Sequence, residues 1–344
     1  MLELVDKVKV PGALKGACVA IGNFDGLHLG HQALMATAIN VAKNSGSPCG
    51  LLTFEPHPKS VFQPEQPLFR LTPPRLKAAL TQSFGADFCA AIPFDRALAA
   101  MEAENFVEHY LVGALGISHV VSGYDFHFGR GRRGSPALLQ AQGQSHGFGV
   151  TIVDQVTRED GTSPYSSSSI RANLHSGNIE QANAQLGYRW TVIGEVVKGD
   201  QRGRTIGFPT VNIMLDPGME PCHGIYAVRV RDLSADMSRV LAGAAYFGWR
   251  PTFDTNRVFL EVYLLDFDGD LYGHELAVEF VTMVRPDRKF ADLQALVTQM
   301  NKDCDDIRKV LVSSDGRTDL PLMQAQLSGR LYDELETISI HKDG

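Results

Sequence analysis

The sequence predicts an α/β protein in two parts: a doubly wound parallel sheet, followed by an antiparallel β-barrel with a C-terminal helix. Two observations lead to this prediction. Up to about residue 187, short apolar runs alternate with amphipathic stretches, as in consecutive β-α-β units. Beyond residue 187, apolar runs follow one another with only turn residues between them, which favours an antiparallel barrel or sandwich.

The first part should contain parallel strands joined by crossover helices. Strands are predicted at 17–24, 49–56, 88–94, 119–126 and 149–156. Helices are predicted at 32–46, 75–85 and 104–116. Because open sheets of this kind bind ligands at the carboxyl ends of their strands, we expect a site at that edge.

The second part should contain five strands and a closing helix. The strands are predicted at 190–200, 224–232, 240–248, 258–267 and 275–285. The helix is predicted from apolar residues at three- and four-residue spacing, namely Phe290, Leu293, Leu296, Val297, Met300, Cys304, Ile307 and Leu311. We therefore expect a first domain at 1–187, a second at 188–313, and an extension at 314–344 to which the sequence assigns no role.

The length, composition and charge of the chain limit the functions that it can have. The 344 residues suit two domains, and the 44% hydrophobic and 21% charged residues are ordinary for globular proteins. No apolar run is long enough to span a bilayer, and the first residues lack a secretory signal, so we expect a cytoplasmic protein. The net charge of −7 argues against nucleic-acid binding, although a local basic patch at 130–133 stays possible. Five scattered cysteines without a CxxC pair indicate neither disulfides nor a zinc cluster.

A glycine-rich turn, 22-GNFDGLHLGH-31, joins a predicted strand to a predicted helix. Unpaired N–H groups and the helix dipole favour an anion at such a position, and its glycines let a phosphate approach the main chain. His28 and His31 would share one face of the first helical turn. A zinc site would need further ligands, and only Asp25 is near. The alternative that both histidines merely cap or pack stays open.

Two later segments add to this turn. In 166-SSSSIR-171, hydroxyls and an arginine fork at a helix start form a second possible phosphate clamp, or else a solvated loop. The stretch 123-GYDFHFGRGRRG-134 combines the Asp125 carboxylate, aromatic rings and a glycine-arginine loop. It would suit a purine with its polyphosphate, but is also common in surface loops.

These motifs together carry a resemblance. GNFDGLHLGH resembles the HxGH signature of the nucleotidyltransferase superfamily, and SSSSIR resembles its SSTxIR partner. With 53-TFEPHP-58 and GYDFHFG, the first part resembles the FMN adenylyltransferase module of bacterial bifunctional riboflavin kinase/FAD synthetases, which implies a Rossmann-like sheet of the HxGH type. The sequence departs from the family at Ser168, where threonine is usual, and at His127, where another basic residue is common.

The resemblance implies roles for individual residues. His28, His31 and Arg171 would stabilise charge on the phosphates and the departing pyrophosphate. The full set implied for ATP is Gly22, Asn23, Phe24, Asp25, Gly26, His28, His31, Asp125, Ser166, Ser167, Ser168 and Arg171. The set implied to border the flavin is Phe54, Pro56, His57 and Pro58.

The second part contains 198-KGDQRGRTIGFPTVN-212, in which Gly199, Gly203 and Gly207 are four residues apart. It is not a Walker A sequence. A glycine arch over phosphates, with the Thr210 hydroxyl and the Asn212 amide placed for Mg²⁺, is one interpretation. A long hairpin with basic residues is the other.

Glu261 interrupts an apolar predicted strand, 258-VFLEVYLL-265. A partly desolvated carboxylate in such a place suits a general base. The alternative is that this side of the strand simply faces water.

GRTIGFPTVN resembles the riboflavin kinase PTxN motif, and 248-GWRPTF-253, 261-EVYLLDFDGDLYG-273 and 285-RPDRKF-290 match later blocks of that family in order. The resemblance implies that Thr210 and Asn212 serve MgATP, that Glu261 activates the ribityl hydroxyl, and that Arg285 and the closing helix border the flavin. Tyr246 and Phe247 depart from the Asn-Val that relatives usually carry. The two matches cover roughly residues 15 to 312.

We therefore expect a bifunctional, cytoplasmic FAD-forming transferase that acts on riboflavin, FMN and ATP with Mg²⁺, without a nucleic-acid or membrane partner. The second part would phosphorylate riboflavin to FMN, and the first would adenylylate FMN to FAD and release pyrophosphate. The oligomeric state is not predicted. Two other classes stay open: a relative of the aminoacyl-tRNA synthetases, and a non-catalytic flavin-binding regulator. The net negative charge and the SSSSIR spacing argue against a synthetase relative. The presence of Thr210, Asn212 and Glu261 argues against a non-catalytic regulator.

Overall fold

The computed structural model describes residues 2–3, 11–157, 161, 163–199, 202–215, 218–235, 239–248 and 258–313. The chain forms two compact units. Of the described residues, the first unit holds those up to Leu68 together with Pro73–Tyr165, and the second holds Phe69–Thr72 together with those from Ser166 onward. The extension predicted at 314–344 and all but the first residue of the 248–253 block lie outside the described residues. Domain limits at residues 187 and 313 stay a prediction.

A six-stranded parallel sheet forms the centre of the first unit, in the order β1-β4-β3-β2-β5-β6. Its strands are β1 Leu2–Glu3, β2 Cys18–Ile21, β3 Cys49–Glu55, β4 Phe88–Pro93, β5 His119–Gly123 and β6 Gly149–Val153. All of β2 is buried, as expected for a parallel strand covered on both faces. The strand order reverses at β2, which pairs with β3 on one side and β5 on the other. Its carboxyl end is therefore the switch point where such sheets bind ligands.

Helices lie between these strands. They are α1 Leu29–Ser45, α2 Pro58–Phe62, α3 Pro74–Ser83, α4 Arg96–Ala99, α5 Ala103–Phe106 and α6 Pro136–His146. A π-helical segment, Val107–Ala114, continues α5, and single 3-10 turns lie at Gly12–Leu14 and Arg130–Arg132. Local sequence explains the limits of α1: the His28 side chain caps its start, and Gly46 ends it in the left-handed conformation, at a φ of 66°.

The second unit begins with two helices and continues into a closed six-stranded barrel, ordered β10-β11-β8-β7-β12-β9, in which all neighbours are antiparallel. The strands are β7 Thr191–Val197, β8 Thr210–Leu215, β9 Gly224–Asp232, β10 Val240–Phe247, β11 Val258–Leu264 and β12 Glu275–Pro286. The helices are α7 Ser167–His175, α8 Ile179–Leu186, α9 Arg202–Thr205 and α10 Leu293–Ser313.

The two faces of the barrel wall differ. Ile213, Leu260 and Val262 are fully buried and alternate with half-buried or polar residues on the opposite face. Helix α10 packs on that opposite, outer face, where Cys304, Ile307 and Leu311 join a cluster with Ala242, Ala244 and Tyr263. Leu293, predicted to belong to the apolar stripe, is 59% exposed.

The predicted fold class is confirmed: a parallel sheet precedes an antiparallel barrel and a C-terminal helix. Strand β8 is the one strand of the barrel that the sequence analysis did not predict. The described residues include no helix with the length and apolar character needed to cross a bilayer.

Candidate active sites

The turn between β2 and α1 has an unusual backbone. Phe24 and Leu27 have positive φ angles of 50° and 41°, a region that bulky side chains rarely adopt, and Gly26 has a φ of 92°. A residue other than glycine in this region raises the free energy of the folded state by about 1–3 kcal/mol, and it persists only where the surrounding structure holds it. Here the side chains of Phe24 and Leu27 are completely buried. The core of the first unit therefore fixes the course of this turn at the carboxyl end of β2.

His28 caps helix α1. Its Nδ1 accepts a hydrogen bond from the His31 backbone N–H at 3.4 Å, so in the neutral ring the proton is on Nε2. Burial lowers the pKa of His28 to about 4, and the nearby Asp25 opposes this only in part. Gly30 makes room for the ring, because a Cβ at that position would lie 3.2 Å from the His28 Nδ1. His28 is therefore neutral at pH 7 and can donate from Nε2.

His31 lies against His28 and Phe24. The two imidazole rings stack with centroids 3.7 Å apart, and the Phe24 ring meets His31 edge-on at 5.2 Å. Burial holds the pKa of His31 well below its usual value, and His28 and Lys77 lower it further. Its Nδ1 is buried and has no hydrogen-bond partner among the described residues. The helix start thus carries two neutral rings rather than a cation.

A buried lysine that the sequence analysis missed supports this turn. Lys77, on α3, is 1% exposed, and its Nζ donates to the Asn23 carbonyl at 3.0 Å and to Thr53 Oγ1 at 3.2 Å. It also forms an ion pair with Glu55 Oε1 at 2.9 Å. The sequence held a signal for it, because helical spacing puts Lys77 on the same face as the buried Leu80.

The segment expected to border the flavin follows β3. Phe54 is 7% exposed and contacts the rings of Phe94 and Phe106, at centroid distances of 5.9 Å and 6.0 Å. His57 caps α2, because its Nδ1 accepts from the Lys59 backbone N–H at 3.1 Å. Pro56 precedes that cap, and Pro58 is the first residue of α2.

Phe62, at the end of α2, completes this aromatic cluster. It is 63% exposed and meets Phe94 edge-on at 5.8 Å. The cluster therefore extends from the core to the surface at the carboxyl ends of β3 and β4. Neither Phe62 nor Phe94 was predicted as a site residue, although Phe94 ends the strand predicted at 88–94 and Phe62 lies six residues beyond the strand predicted at 49–56.

Asp125 follows β5 and is exposed. Because β5 pairs with β2, its carboxylate lies at the same edge of the sheet as the turn of His28. The arginine loop beyond it is closed by a two-way backbone pair between Phe128 and Gly134. Arg130 forms an exposed ion pair with Glu102 at 3.0 Å.

The SSSSIR segment forms the start of α7, in the second unit. Ser166 is its N-cap, and its Oγ accepts from the Ser169 backbone N–H at 3.2 Å. Ser167 is half-buried in the first turn, whereas Ser168 is exposed. The Arg171 Nε donates to the Phe69 carbonyl at 2.6 Å, which ties α7 to the segment Phe69–Thr72 of the same unit.

Glycines and polar groups meet at the start of β8. A Cβ on Gly199 would overlap the Asn212 amide, and a Cβ on Gly203 would overlap the Phe208 carbonyl and lie 3.6 Å from Thr210 Oγ1. Gly207 has a φ of 86°. These contacts explain why the arch contains glycine.

Strand register brings the predicted kinase residues together. In the β8–β11 pair, Glu261 lies directly opposite Asn212, and Tyr263 opposite Thr210. Directly opposed residues share a face with Cβ atoms about 4.5–5.5 Å apart. Asn212 is 6% exposed, and its Oδ1 is buried without a hydrogen-bond partner in the described part of the chain. A carboxylate, an amide and a hydroxyl therefore line one patch of the outer barrel face.

Tyr246 lies on the other side of Glu261, as its direct partner across β10 and β11. Its hydroxyl donates to Asp287 Oδ2 at 3.2 Å. Glu261 thus lies between Asn212 and the aromatic ring at which this sequence departs from its relatives.

Arg285, expected at the flavin, connects β12 to α10. Its Nε and Nη2 donate to Asp303 Oδ2 at 2.9 Å and 2.8 Å, and Gln299 donates to the same carboxylate at 2.6 Å. Its guanidinium also lies 5.5 Å from the centroid of the Phe290 ring. The arginine therefore holds the helix that covers part of the outer barrel face.

Comparison with known proteins identifies the family. The family model described as FAD synthetase matches residues 11–168, and the one described as riboflavin kinase matches residues 186–311. The bifunctional riboflavin kinase/FMN adenylyltransferase of Escherichia coli (strain K12) is 38% identical over 289 residues, covering 84% of this chain and 91% of that protein. The chain belongs to the bifunctional riboflavin kinase/FMN adenylyltransferase family.

A second curated relative agrees with this assignment. The Bacillus subtilis (strain 168) member of the family is 34% identical over 292 residues, covering 83% of this chain and 89% of that protein. Among solved structures, one described as a macrolide-efflux protein from Streptococcus pneumoniae has a TM-score of 0.77 and 28% identity, covering 90% of this chain and 99% of that chain.

Two activities follow from the family. The N-terminal part is an FMN adenylyltransferase and the C-terminal part a riboflavin kinase, so riboflavin, FMN and ATP are the substrates. The predicted function is confirmed, and the family assignment replaces both alternatives, the aminoacyl-tRNA synthetase relative and the non-catalytic regulator. The roles of individual site residues stay predictions.

Proposed function

We propose that each activity has its own ATP site: the turn of His28 and His31 for adenylyl transfer, and the patch of Thr210, Asn212 and Glu261 for phosphorylation. One observation carries this proposal. Each unit has a glycine-lined turn beside a buried polar atom without a partner among the described residues, His31 Nδ1 in one and Asn212 Oδ1 in the other. An unsatisfied buried polar atom costs about 1–3 kcal/mol, a cost that a bound substrate can remove.

In the barrel, Glu261 takes the proton from the 5′-hydroxyl of riboflavin. The hydroxyl oxygen then attacks the γ-phosphate of ATP, which gives FMN and ADP. Its position opposite Asn212 supports this role, because the base then stands beside the phosphate-binding groups. The glycines at 199 and 203 let the arch lie directly against the Asn212 amide and the Phe208 carbonyl, which keeps its backbone beside the groups proposed to bind the phosphates.

The metal in this reaction arrives with ATP. Mg²⁺ prefers oxygen ligands, and the Thr210 hydroxyl and the Asn212 Oδ1 fit that preference. A buried amide oxygen without a hydrogen-bond partner in the described residues is the kind of atom that such an ion would use. When bound, Mg²⁺ would neutralise charge on the β- and γ-phosphates. Arg285 acts on the flavin side by holding α10 in place.

In the first unit, a phosphate oxygen of FMN attacks the α-phosphate of ATP, and pyrophosphate leaves. The reaction needs no covalent enzyme intermediate, because positioning and charge stabilisation supply the catalysis. His28 donates from Nε2, and the backbone N–H groups at the start of α1 add the helix dipole. The negative charge that develops on the departing pyrophosphate would be stabilised by hydrogen bonds from the His28 Nε2–H and the backbone N–H groups at the helix start.

Further groups complete the proposal. The aromatic cluster of Phe54, Phe62 and Phe94 supports stacking with the flavin ring at the carboxyl edge of the sheet. The roles of Asp125, of the serine hydroxyls and of Arg171 in binding ATP rest on the family motif. Cytoplasmic location, the lack of a nucleic-acid partner and the use of Mg²⁺ also stay predictions.

Paired substitutions test the two-site proposal. Glu261→Gln should abolish FMN formation from riboflavin while FMN-to-FAD conversion persists. His28→Ala combined with His31→Ala should do the reverse. Both conversions are followed by chromatography of the flavins, and Glu195→Gln, at an exposed position of β7, is the matched control. Loss of both conversions from either substitution would point to a single composite site and contradict the proposal.

A further inference from the structure

We propose that Lys77 is a positioning residue for FMN adenylylation, because it holds the backbone of the turn that presents His28 and His31. This inference rests on the proposed function of that turn. It assigns a role to a residue that lies outside every motif recognised in the sequence.

The contacts of Lys77 are complete and directional. A lysine ammonium has three N–H donors, and here they meet three acceptors: the Asn23 carbonyl, Thr53 Oγ1 and Glu55 Oε1. Lys77 is 1% exposed and lies on a buried face of α3, beside Leu80 and Thr81. Burying a charge is costly even when it is paired, and an apolar residue of similar volume is often as stable. The arrangement therefore indicates a role beyond packing.

The atom that Lys77 holds is well placed to control the turn. Asn23 is the second residue after β2, and its carbonyl accepts from both Lys77 Nζ and Thr53 Oγ1, at 3.0 Å and 3.1 Å. One backbone oxygen thus ties the turn to α3 and to β3. The next residues take the left-handed conformations of Phe24 and Gly26 on the way to His28. Fixing this oxygen at the start of the turn restricts where the His28 ring can lie.

Lys77 also acts through its charge. Its ammonium lowers the pKa of His31, after the larger effect of burial and alongside His28. Among the described groups that act on the two rings, Asp25 has the opposite sign and raises the pKa of His28. Lys77 therefore helps to keep His31 neutral in the free enzyme.

The central experiment replaces Lys77 and its ion-pair partner together. Lys77→Met alone would leave the Glu55 carboxylate without its Lys77 partner and could unfold the unit. In Lys77→Met with Glu55→Gln both charges are absent, so folding should be retained. The full chain is assayed for both conversions, and thermal unfolding is measured. Lys43→Met, at an exposed position of α1, is the matched control.

We expect the double variant to keep riboflavin phosphorylation and to lose FMN adenylylation. A misplacement of about 1 Å can reduce a rate on the order of 100-fold, and the loss should be in kcat rather than in KM for FMN. The inflection on the acid side of the kcat/KM profile should move to higher pH, because His31 no longer has a cation beside it. A purely structural role would leave that inflection unchanged.

Two results would overturn the proposal. One is a folded double variant whose kcat, KM and pH profile for adenylylation equal those of the parent. The other is a double variant that loses riboflavin phosphorylation as well, which would assign Lys77 to folding. Failure of the underlying site is recognised separately: if His28→Ala still forms FAD at the parental rate, the turn itself is not the adenylylation site.

Discussion

Acid should destabilise the first unit through His28. Burial lowers the pKa of His28 to about 4 in the folded protein, whereas an unfolded histidine has a pKa of about 6.5. Between these values the unfolded chain binds more protons, so the stabilisation is complete above pH 6.5 and is lost as the pH falls through 4. A difference of about 2.5 units at about 1.4 kcal/mol per unit corresponds to about 3.5 kcal/mol, of which about 3 kcal/mol is lost by pH 4, where the folded ring is half protonated.

His28→Asn isolates this contribution. Asparagine is a strong N-cap residue, so the start of α1 keeps a side-chain acceptor, but asparagine does not titrate. Urea unfolding of both proteins is measured from pH 7.5 to pH 4, and the difference in free energy of unfolding is plotted against pH. Carboxylates and the histidines other than His31 titrate in both proteins and largely cancel. His31 no longer has His28 beside it in the variant, which changes the difference in the same direction.

We expect that difference to be constant above pH 6.5. Below it, the difference should change in favour of the variant, with a slope of at most about 1.4 kcal/mol per pH unit and a total of about 3 kcal/mol at pH 4. Curves that stay parallel within about 0.5 kcal/mol over the whole range would refute the argument. They would mean that the His28 ring is protonated as easily in the folded chain as in the unfolded one.

Two further substitutions test the barrel. Gly199→Ala should reduce riboflavin phosphorylation on the order of 100-fold without affecting FMN adenylylation, because its Cβ would displace the Asn212 amide; Gly12→Ala, whose Cβ meets no atom within 4 Å, is the control. Asp303→Asn should lower the free energy of unfolding of the second unit by about 2–3 kcal/mol and raise KM for riboflavin, because Arg285 loses its carboxylate partner on α10. Unchanged thermal unfolding and KM in this variant would contradict that role of Arg285.

Most of the fold could be predicted because the strands are coded locally. The runs at 17–24 and 49–56 are continuous and apolar, as parallel strands covered on both faces must be, and they became β2 and β3. Strand β8 was missed because a proline precedes it and Asn212 interrupts its apolar pattern. The segment 198–212 was therefore interpreted as a glycine-rich loop and not as the approach to a strand. Only pairing with β7 and β11 makes that segment a strand.

The sequence could predict which residues belong to the candidate sites, but it could not predict how those residues are arranged in space. Motifs indicated Asn212 and Glu261 separately, whereas their direct opposition depends on the register of two strands far apart in sequence. Lys77 shows the limit more clearly. Its partners Asn23 and Glu55 lie 54 and 22 residues away, so no local pattern joins them. The one signal for Lys77 in the sequence was the helical period, which puts this charged residue on the same helix face as Leu80.

In each unit, an ion pair supports the groups that are proposed to contact the substrate. In the first, Lys77 and Glu55 lie within the fold, and neutral imidazoles stand in front of them. In the second, Arg285 and Asp303 join a strand to the helix covering the outer barrel face. Buried pairs of this kind add little net stability compared with apolar residues, but they tolerate only one geometry. Replacing each pair together should therefore separate catalysis from folding, with stability nearly kept and the corresponding conversion lost.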